Sequence, residues 1–349
     1  MTEHELRAGL ATLLDGLPPR RLSAAVDGLI ATYRGRIPTD APVLRDRADV
    51  TAYAAYRMPA TFAAVAASLR ALSERWPDWH PASHLDVGGG TGAGVWAAAS
   101  VWPDEGEPST PRRTTVLDWA EPALDLGREL AQLSEDPAVR GTRWERRPLH
   151  AEARQGEQPL PEAVELATVS YVLGELPPAS REALVTTLAQ RATALVVVEP
   201  GTPDGYLRVR AARELMVRAG LRVVAPCPHS EQCPIDPLRG ATANRASGDW
   251  CHFATRVSRS SLHRKIKDAS MAWEDEKFSF VAAVNDQKRV EPAPARIVRK
   301  PQLRKGQVLL DLCARDDGLT RRTVSKRQGG VYRDARNAAW GQSWPPPQD

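Results

Sequence analysis

Four cysteines carry the most distinctive chemistry in this sequence. All of them lie in the C-terminal third of the chain or at its border: Cys227, Cys233, Cys251 and Cys313. Four thiolates suit either a tetrahedral zinc ion or a [4Fe–4S] cluster, and ligand type alone does not separate the two. The spacing contains no Cys-x-x-Cys pair, so a zinc ribbon is not indicated. His229 and His252 lie near cysteines and leave a mixed-ligand zinc site open, and buried free cysteines are the simplest alternative.

The position of Cys313 gives such a metal site a structural consequence. Sixty-one residues separate Cys251 from Cys313, whereas only five residues, beginning with Pro228, separate Cys227 from Cys233. A proline beside a thiol restricts the loop and reduces the entropy that is lost when a metal binds. Ligation by Cys313 would tie the basic C-terminal part of the chain to the domain before it, and metal binding would then contribute to its folding.

A glycine-rich segment provides a second candidate site. The sequence Asp86-Val87-Gly88-Gly89-Gly90-Thr91-Gly92 follows a predicted strand and precedes a predicted helix. Glycines allow a tight turn there and let a ligand approach the backbone closely. The acid that ends the next predicted strand, Thr114–Asp118, could hold ribose hydroxyls, although a strand-end cap is its plainer role.

Two cofactor classes use a turn of this kind. Dinucleotides need a helix N-terminus that faces a pyrophosphate, whereas S-adenosylmethionine has no phosphate and is served by Gly-x-Gly spacing with acids at two strand ends. The sequence favours S-adenosylmethionine, and a dinucleotide is the alternative. The predicted cofactor-binding residues are Asp86, Gly88, Gly90, Gly92 and Asp118.

Alternating strands and helices must position these residues. Between residues 81 and 226 short apolar strands alternate with amphipathic helices, which predicts a parallel, doubly wound α/β sheet that binds its ligand at the carboxyl ends of its first strands. Residues 1–80 are predicted to be helical, because apolar residues recur at helical spacing, for example over Leu22 to Tyr33. A third helix, from about Asp49, should be kinked or divided at Pro59.

The charge of the chain is distributed unevenly. The net charge is +4, but the residues from Trp250 onward hold 20 Lys and Arg against 11 Asp and Glu, a net +9, and the remainder carries −5. This basic part suggests a polyanionic partner, nucleic acid first, with a solvated basic surface as the alternative. Its cations include Arg264, Lys265, Lys267, Arg321, Arg322, Lys326 and Arg327.

The third predicted domain is a small β-rich module within residues 227–349. Apolar patterns at Phe278–Val284 and Gln307–Leu312 predict strands, and basic residues on one face would suit binding to a phosphate backbone. Tyr332 and Trp340 are the best candidates for stacking on bases, although core packing is the commoner role of such residues.

Composition and the first residues exclude other classes of protein. No apolar run approaches the roughly 20 residues that span a bilayer. Glu3 and Glu5 stand where a secretory signal would have Lys or Arg, and four cysteines in 349 residues do not indicate a disulfide scaffold. We therefore expect a cytoplasmic protein without a membrane partner.

Several segments together resemble one family of proteins. They are AYRMPATF at 55–62, LDVGGGTG at 85–92, PCPHSEQCP at 226–234 and DWCHF at 249–253, followed by the ending at 315–341. The resemblance, which extends from about Asp49 to Trp340, is to the methyltransferase-like family of small-ribosomal-subunit assembly proteins, with bacterial members and a mitochondrial branch. It implies a class I methyltransferase fold, association with the small ribosomal subunit, its precursor or its RNA, and an iron–sulfur cluster on the four cysteines.

Residues that would catalyse methyl transfer are not evident. Amino-methylating nucleic-acid enzymes carry Asn/Asp-Pro-Pro-aromatic after the fourth strand, where this chain has Ser170 to Leu176. No cysteine nucleophile follows the fourth or fifth strand, and Glu199 has no evident nucleophile beside it. With no catalytic residues assigned, what the resemblance implies is an S-adenosylmethionine-binding ribosome assembly protein that binds 16S-type rRNA. An active rRNA methyltransferase and a small-molecule methyltransferase are the alternatives.

Overall fold

A computed structural model describes residues 2–14, 47–103, 110–149, 160–235, 249–259 and 271–346. The predicted helix over Leu22 to Tyr33 lies outside the described residues, as do Arg264, Lys265 and Lys267. Within the described ranges, no helix is long and apolar enough to cross a membrane.

Helices precede the first strand, as predicted for the N-terminal region. They are α1 (Thr2–Leu14), α2 (Arg47–Tyr56) and α3 (Met58–Ser73). Pro59 divides the predicted third helix, because it lies in the first turn of α3, where a missing N–H breaks no hydrogen bond. Phe62, Val65 and Leu69 of α3 are buried in the core beneath it.

The large sheet contains eight strands among the described residues. They are β1 (Ser83–Val87), β2 (Arg113–Asp118), β3 (Arg143–Arg146), β4 (Val164–Ser170), β5 (Ala192–Pro200), β6 (Leu221–Ala225), β7 (Phe253–Ser258) and β8 (Trp273–Asn285). Their order is β3-β2-β1-β4-β5-β8-β6, with β7 paired to β8. Strands β1 to β5 are parallel, whereas β8 runs antiparallel to both β5 and β6. An antiparallel strand inserted next to the sixth strand is the arrangement of class I methyltransferases, so the predicted fold class is confirmed.

Helices cover both faces of this sheet. They are α4 (Ala93–Val101), α5 (Glu121–Ala131), α6 (Pro137–Arg140), α7 (Pro178–Arg191) and α8 (Pro203–Arg218). Alternate residues of β5 point to opposite faces: Val196 and Val198 pack in the core with α3, α4 and α5, whereas Leu195 and Val197 pack with α7 and α8. Each such side chain contributes about 1.5–3 kcal/mol when it is fully buried, so the sheet is stabilised from both sides.

The strand predicted over Phe278–Val284 lies in the large sheet, and its assignment to the C-terminal module is wrong. It forms part of β8, where Phe280 pairs with Val198 and Ala283 pairs with Val223. Residues 278–284 are buried on both faces, as a central strand requires. The apolar run predicts the strand itself, but only pairing over a long sequence distance determines which sheet it joins.

A smaller sheet follows in the chain. Its strands are β9 (Ala295–Ile297), β10 (Gln302–Arg304), β11 (Gln307–Ala314), β12 (Gly318–Ser325) and β13 (Ser343–Trp344), and helix α9 (Gly330–Asn337) packs on it. The strand predicted over Gln307–Leu312 is confirmed as part of β11. Val308, Leu310 and Leu312 of β11 form a small core with Val324 of β12 and Ala335 of α9.

Candidate functional site

The glycine turn lies between β1 and α4, at the carboxyl end of the parallel strands. Gly88 has φ of 68° and Gly92 has φ of 86°, values that favour glycine over other residues. A Cβ atom at Gly88 would lie 2.6 Å from Val172, and one at Gly92 would lie 2.5 Å from the ring of Trp144. Both the positive φ and the close neighbouring side chains therefore require glycine at these two positions. Trp144, which sequence reasoning did not single out, packs against the turn at Gly92.

Asp118 ends β2 and holds the glycine turn. Its Oδ2 accepts a hydrogen bond of 2.9 Å from the Gly90 N–H, and its Oδ1 accepts one of 2.9 Å from the Ala120 N–H. Burial raises the pKa of the carboxyl, and these backbone hydrogen bonds oppose the increase. The side chain thus caps the strand end, and since each oxygen has two lone pairs it can also accept from a ribose hydroxyl.

Asp86 lies beneath the turn and is completely buried. Its Oδ1 accepts from the Thr168 hydroxyl at 2.7 Å, and Thr168 lies 2.8 Å from Nε2 of His84. Oδ2 has no hydrogen-bond partner, and burial raises the pKa of Asp86 to about 6. Burial also lowers the pKa of His84 to about 3, so this ring is neutral. Asp86 supports the turn from below, and its partner Thr168 on the neighbouring strand β4 also contacts His84, two residues before Asp86 on β1.

A second group of polar residues surrounds Tyr171, which follows β4 directly. Tyr171 adopts φ of 59°, a strained value for a residue with a side chain, and its hydroxyl donates to Glu276 at 2.9 Å. Arg57 donates to both oxygens of Glu276 at 3.1 and 3.0 Å and lies 5.4 Å from the Tyr171 ring centroid. This trio joins the N-terminal helices to β4 and β8. Sequence reasoning missed it, although Arg57 lies within the AYRMPATF segment.

The carboxylate of Glu199 is not free to act as a base. It is fully buried at the end of β5, where it accepts from the Leu173 N–H at 3.0 Å and from Nε of Arg208 at 2.6 Å. Nearby, burial raises the pKa of Glu175 to about 7, with the charges of Asp118 and Glu199 adding to the effect. Asp118 and Glu175 give this part of the carboxyl edge an acidic character that suits a cationic ligand such as a sulfonium or an ammonium group. Glu199, in contrast, is paired with Arg208, and Glu276 is paired with Arg57.

The four cysteines, distant in sequence, line one cavity of about 40 Å³. This is several times the roughly 10–15 Å³ that a single water needs. Cys227 and Cys233 follow β6, Cys251 precedes β7, and Cys313 comes from β11 of the small sheet. Burial raises the pKa of Cys251 well above its usual value, and the other three thiols raise it further, as expected of close neighbours.

The cavity contains side chains that can ligate a metal, but they are not arranged around a common point. Among the described residues, no group of three or more His, Cys, Asp or Glu side chains is arranged to hold a metal ion. The lining contains all four cysteines and neither His229 nor His252. His252 is stacked on Trp250, and its Nδ1 lies 3.2 Å from the carbonyl oxygen of that residue. The geometry of the described residues thus supports neither a mixed histidine–cysteine site nor an assembled four-thiolate site. The donor type alone, four soft thiols on one cavity, is that of zinc and iron–sulfur centres.

The small sheet carries exposed cations. Arg321 pairs with Asp311, whereas Arg322 and the segment Lys326–Arg327 are exposed on β12 and just after it. Tyr332 packs against the small core and Trp340 against the large one. Both aromatic residues are half-buried and pack against a core, which favours the commoner of the two roles considered from the sequence.

Comparison with known proteins identifies relatives of this chain. The family model described as mitochondrial small ribosomal subunit Rsm22 matches residues 47–345. The human protein named ribosome assembly protein METTL17, mitochondrial, is 29% identical over 311 residues, which are 84% of this chain and 62% of that protein. Rsm22-cox11 tandem protein 2, mitochondrial, of Schizosaccharomyces pombe is 29% identical over 183 residues, 43% of this chain and 24% of its own length.

The chain therefore spans less than two thirds of these relatives. Among solved structures, human N-acetylserotonin methyltransferase in complex with S-adenosylmethionine is 13% identical, with a TM-score of 0.40 over 76% of this chain and 65% of the other. The strand order carries the fold assignment independently of that likeness. Because the family model spans the large sheet and the small sheet together, this chain belongs to the Rsm22 family.

Proposed function

We propose that this protein acts in assembly of the small ribosomal subunit, binds S-adenosylmethionine at the glycine turn, and contacts small-subunit rRNA through its C-terminal basic module. The observation that carries the proposal is the family match over residues 47–345, which includes both the cofactor-type turn and the basic small sheet. The human relative aligned over 84% of this chain is named a ribosome assembly protein.

The proposed cofactor site uses the acidic edge of the large sheet. The backbone of the turn approaches the ligand at Gly88, Gly90 and Gly92, while Asp118 accepts from ribose hydroxyls with its remaining lone pairs. Asp86 acts from below by supporting the turn. When bound, the cofactor supplies a methyl group on a sulfonium, and the acidic edge favours that cation.

The proposed metal centre uses Cys227, Cys233, Cys251 and Cys313. Two observations support this centre: the four cysteines line one cavity, and all of the donors are sulfur. Such a donor set suits a [4Fe–4S] cluster, which is our first choice, and zinc is the alternative. The centre would hold β11 to the loop after β6 and thus fix the basic module on the large domain. Anaerobically purified protein should show broad visible absorption with iron and sulfide; stoichiometric zinc would select the alternative.

A non-catalytic role in assembly is favoured over methyl transfer. Tyr171, in the segment after β4 where amino-methylating enzymes carry their motif, is tied to Glu276, which Arg57 also binds, and Glu199 is held by Arg208. The glycine turn and the acidic edge would serve either function, so an active rRNA methyltransferase remains the second candidate. As for the compartment, both named relatives are mitochondrial, whereas the cytoplasmic location expected for this chain stays a prediction.

One experiment separates these functions. RNA cross-linked to the protein in cells is sequenced, and methylation of small-subunit rRNA is mapped with and without the gene. Bound rRNA with an unchanged methylation map supports the assembly role, whereas bound rRNA with one lost methyl group supports the enzyme. Absence of small-subunit rRNA among the cross-links would reject both.

A further inference from the structure

Two buried arginines flank the cysteine cavity. Arg213 of α8 and Arg296 of β9 both line it, and their exposed fractions are only 4% and 2%. Among the described residues, neither guanidinium has a carboxylate within ion-pair distance. Two other arginines near the cavity are paired, Arg210 with Glu214 and Arg299 with Asp249. Buried charge without a counter-charge is costly, so this pair needs an explanation.

Arg213 is only partly satisfied by the protein. Its Nη2 donates to the carbonyl oxygens of His229 at 2.8 Å and Glu231 at 2.5 Å, both in the loop that joins Cys227 to Cys233. Its Nε is buried and has no acceptor. Burial raises the pKa of the Cys227 thiol, and the charge of Arg213 and a hydrogen bond to it oppose that increase.

Arg296 has the same incomplete pattern. It lies directly across from Cys313 in the pairing of β9 with β11. Its Nε donates to the carbonyl oxygen of Pro226 at 3.0 Å and its Nη1 to that of Gly341 at 2.9 Å. Its Nη2 is buried without an acceptor. Each arginine thus organises backbone next to a cysteine and keeps a further N–H donor unused.

The proposed metal centre would carry the negative charge that the two arginines do not receive from a carboxylate. Four thiolates around zinc(II), or around an oxidised [4Fe–4S] core, carry a net charge of minus two. Two guanidinium groups supply plus two. Groups outside the ligand shell affect how tightly such a centre holds its metal, because they orient the ligands. Here the guanidinium groups could donate hydrogen bonds to thiolate sulfur and balance its negative charge.

We propose that Arg213 and Arg296 are positioning residues that compensate the charge of an anionic metal–thiolate centre on the four cysteines. The inference rests on the metal centre of the proposed function and adds the residues that make this centre stable in a buried cavity. Both arginines leave a hydrogen bond unmade, which costs stability for a charged group, and both do so in the wall of the cavity that the four cysteines line.

The test compares charge-removing and charge-keeping variants of the full chain, purified without oxygen: Arg213→Gln, Arg213→Lys, Arg296→Gln and Arg296→Lys. Metal content is measured first, and then the rate at which metal is lost to excess EDTA. The Gln variants should lose metal at least about tenfold faster than the parent, and the Lys variants should stay within about threefold. All four should melt at a lower temperature, because they lose the forked bonds to backbone carbonyls.

Arg112→Gln is the matched control. Arg112 is also buried and donates to a backbone carbonyl, that of Trp102 at 2.9 Å, but it lies just before β2 and does not line the cavity. This variant should melt at a lower temperature and keep its metal as the parent does. If Arg296→Gln does not fold, Arg213→Gln provides the same comparison.

The outcomes separate this inference from the function on which it rests. A parent protein without bound metal overturns both the metal centre and the role of the arginines. A parent with metal, and Gln variants that lose it at the parent rate, overturns the arginine role alone. Equal loss from Gln and Lys variants also overturns it, since charge would then be irrelevant.

Discussion

Replacing Gly92 by alanine tests the geometry of the glycine turn. The residue has φ of 86°, where an L-residue costs about 1–2 kcal/mol. The new Cβ would also lie 2.5 Å from Trp144, and relieving such a clash costs about 1–3 kcal/mol more. Gly92→Ala should therefore lower the free energy of unfolding by about 2–5 kcal/mol. It should also weaken binding of S-adenosylmethionine, because the start of α4 would shift.

Gly220→Ala is the matched control for this change. Gly220 has φ of 89°, and a Cβ there would meet nothing within 4 Å, so only the backbone cost of about 1–2 kcal/mol applies. Urea unfolding and calorimetric titration with S-adenosylmethionine measure both effects. A second change, Trp144→Leu, should recover part of the loss in Gly92→Ala. Equal destabilisation by the two alanines, or no recovery in the double variant, would refute the argument that Trp144 fixes the turn.

Three further predictions concern the buried acid, the metal and the basic surface. Burial raises the pKa of Asp86 to about 6, so the folded state holds this proton more tightly than the unfolded state does. The stability that Asp86 contributes should therefore fall by about 3 kcal/mol as the pH rises from about 4 to 6. Urea unfolding should show this fall for the parent protein and not for Asp86→Asn. Cys313→Ser should lose metal and reduce affinity for small-subunit rRNA fragments in filter binding; unchanged affinity would refute the proposed attachment of the module. Replacing Arg322, Lys326 and Arg327 together by alanine should lower the magnitude of the slope of log rRNA affinity against log salt concentration by about 2–3. Arg321→Ala should lower it less, because Arg321 is paired with Asp311. An unchanged slope in the triple variant would exclude these three cations from the rRNA interface.

Local pattern explains why much of the large sheet could be predicted. A strand, a glycine turn and a helix succeed one another within residues 83–101, and the φ values of Gly88 and Gly92 are those that the residue type permits. Pro59 likewise marks a helix boundary by its own chemistry. The cap role of Asp118 could be stated as an alternative, because a carboxylate at a strand end meets backbone donors of the next turn.

Contacts between residues that are distant in sequence could not be predicted from local patterns. The strand over Phe278–Val284 could be recognised by its apolar run, but its place between β5 and β6 depends on pairing with residues some 60 to 90 positions away. The trio of Tyr171, Glu276 and Arg57 likewise joins three separate segments. No local periodicity encodes these pairings, since they are selected by the shape and burial of the whole sheet.

The sequence by itself determined the residue chemistry: four thiols without a close Cys-x-x-Cys pair, glycines at the turn, an acid at the end of β2 and a basic C-terminal part. Only the tertiary structure brought Cys313 to the cavity of Cys227 and set Arg213 and Arg296 beside it. The reason is physical. Spacing along a chain fixes which side chains share a helix or strand face, whereas burial of charge and sulfur in one cavity is decided by how the two sheets pack.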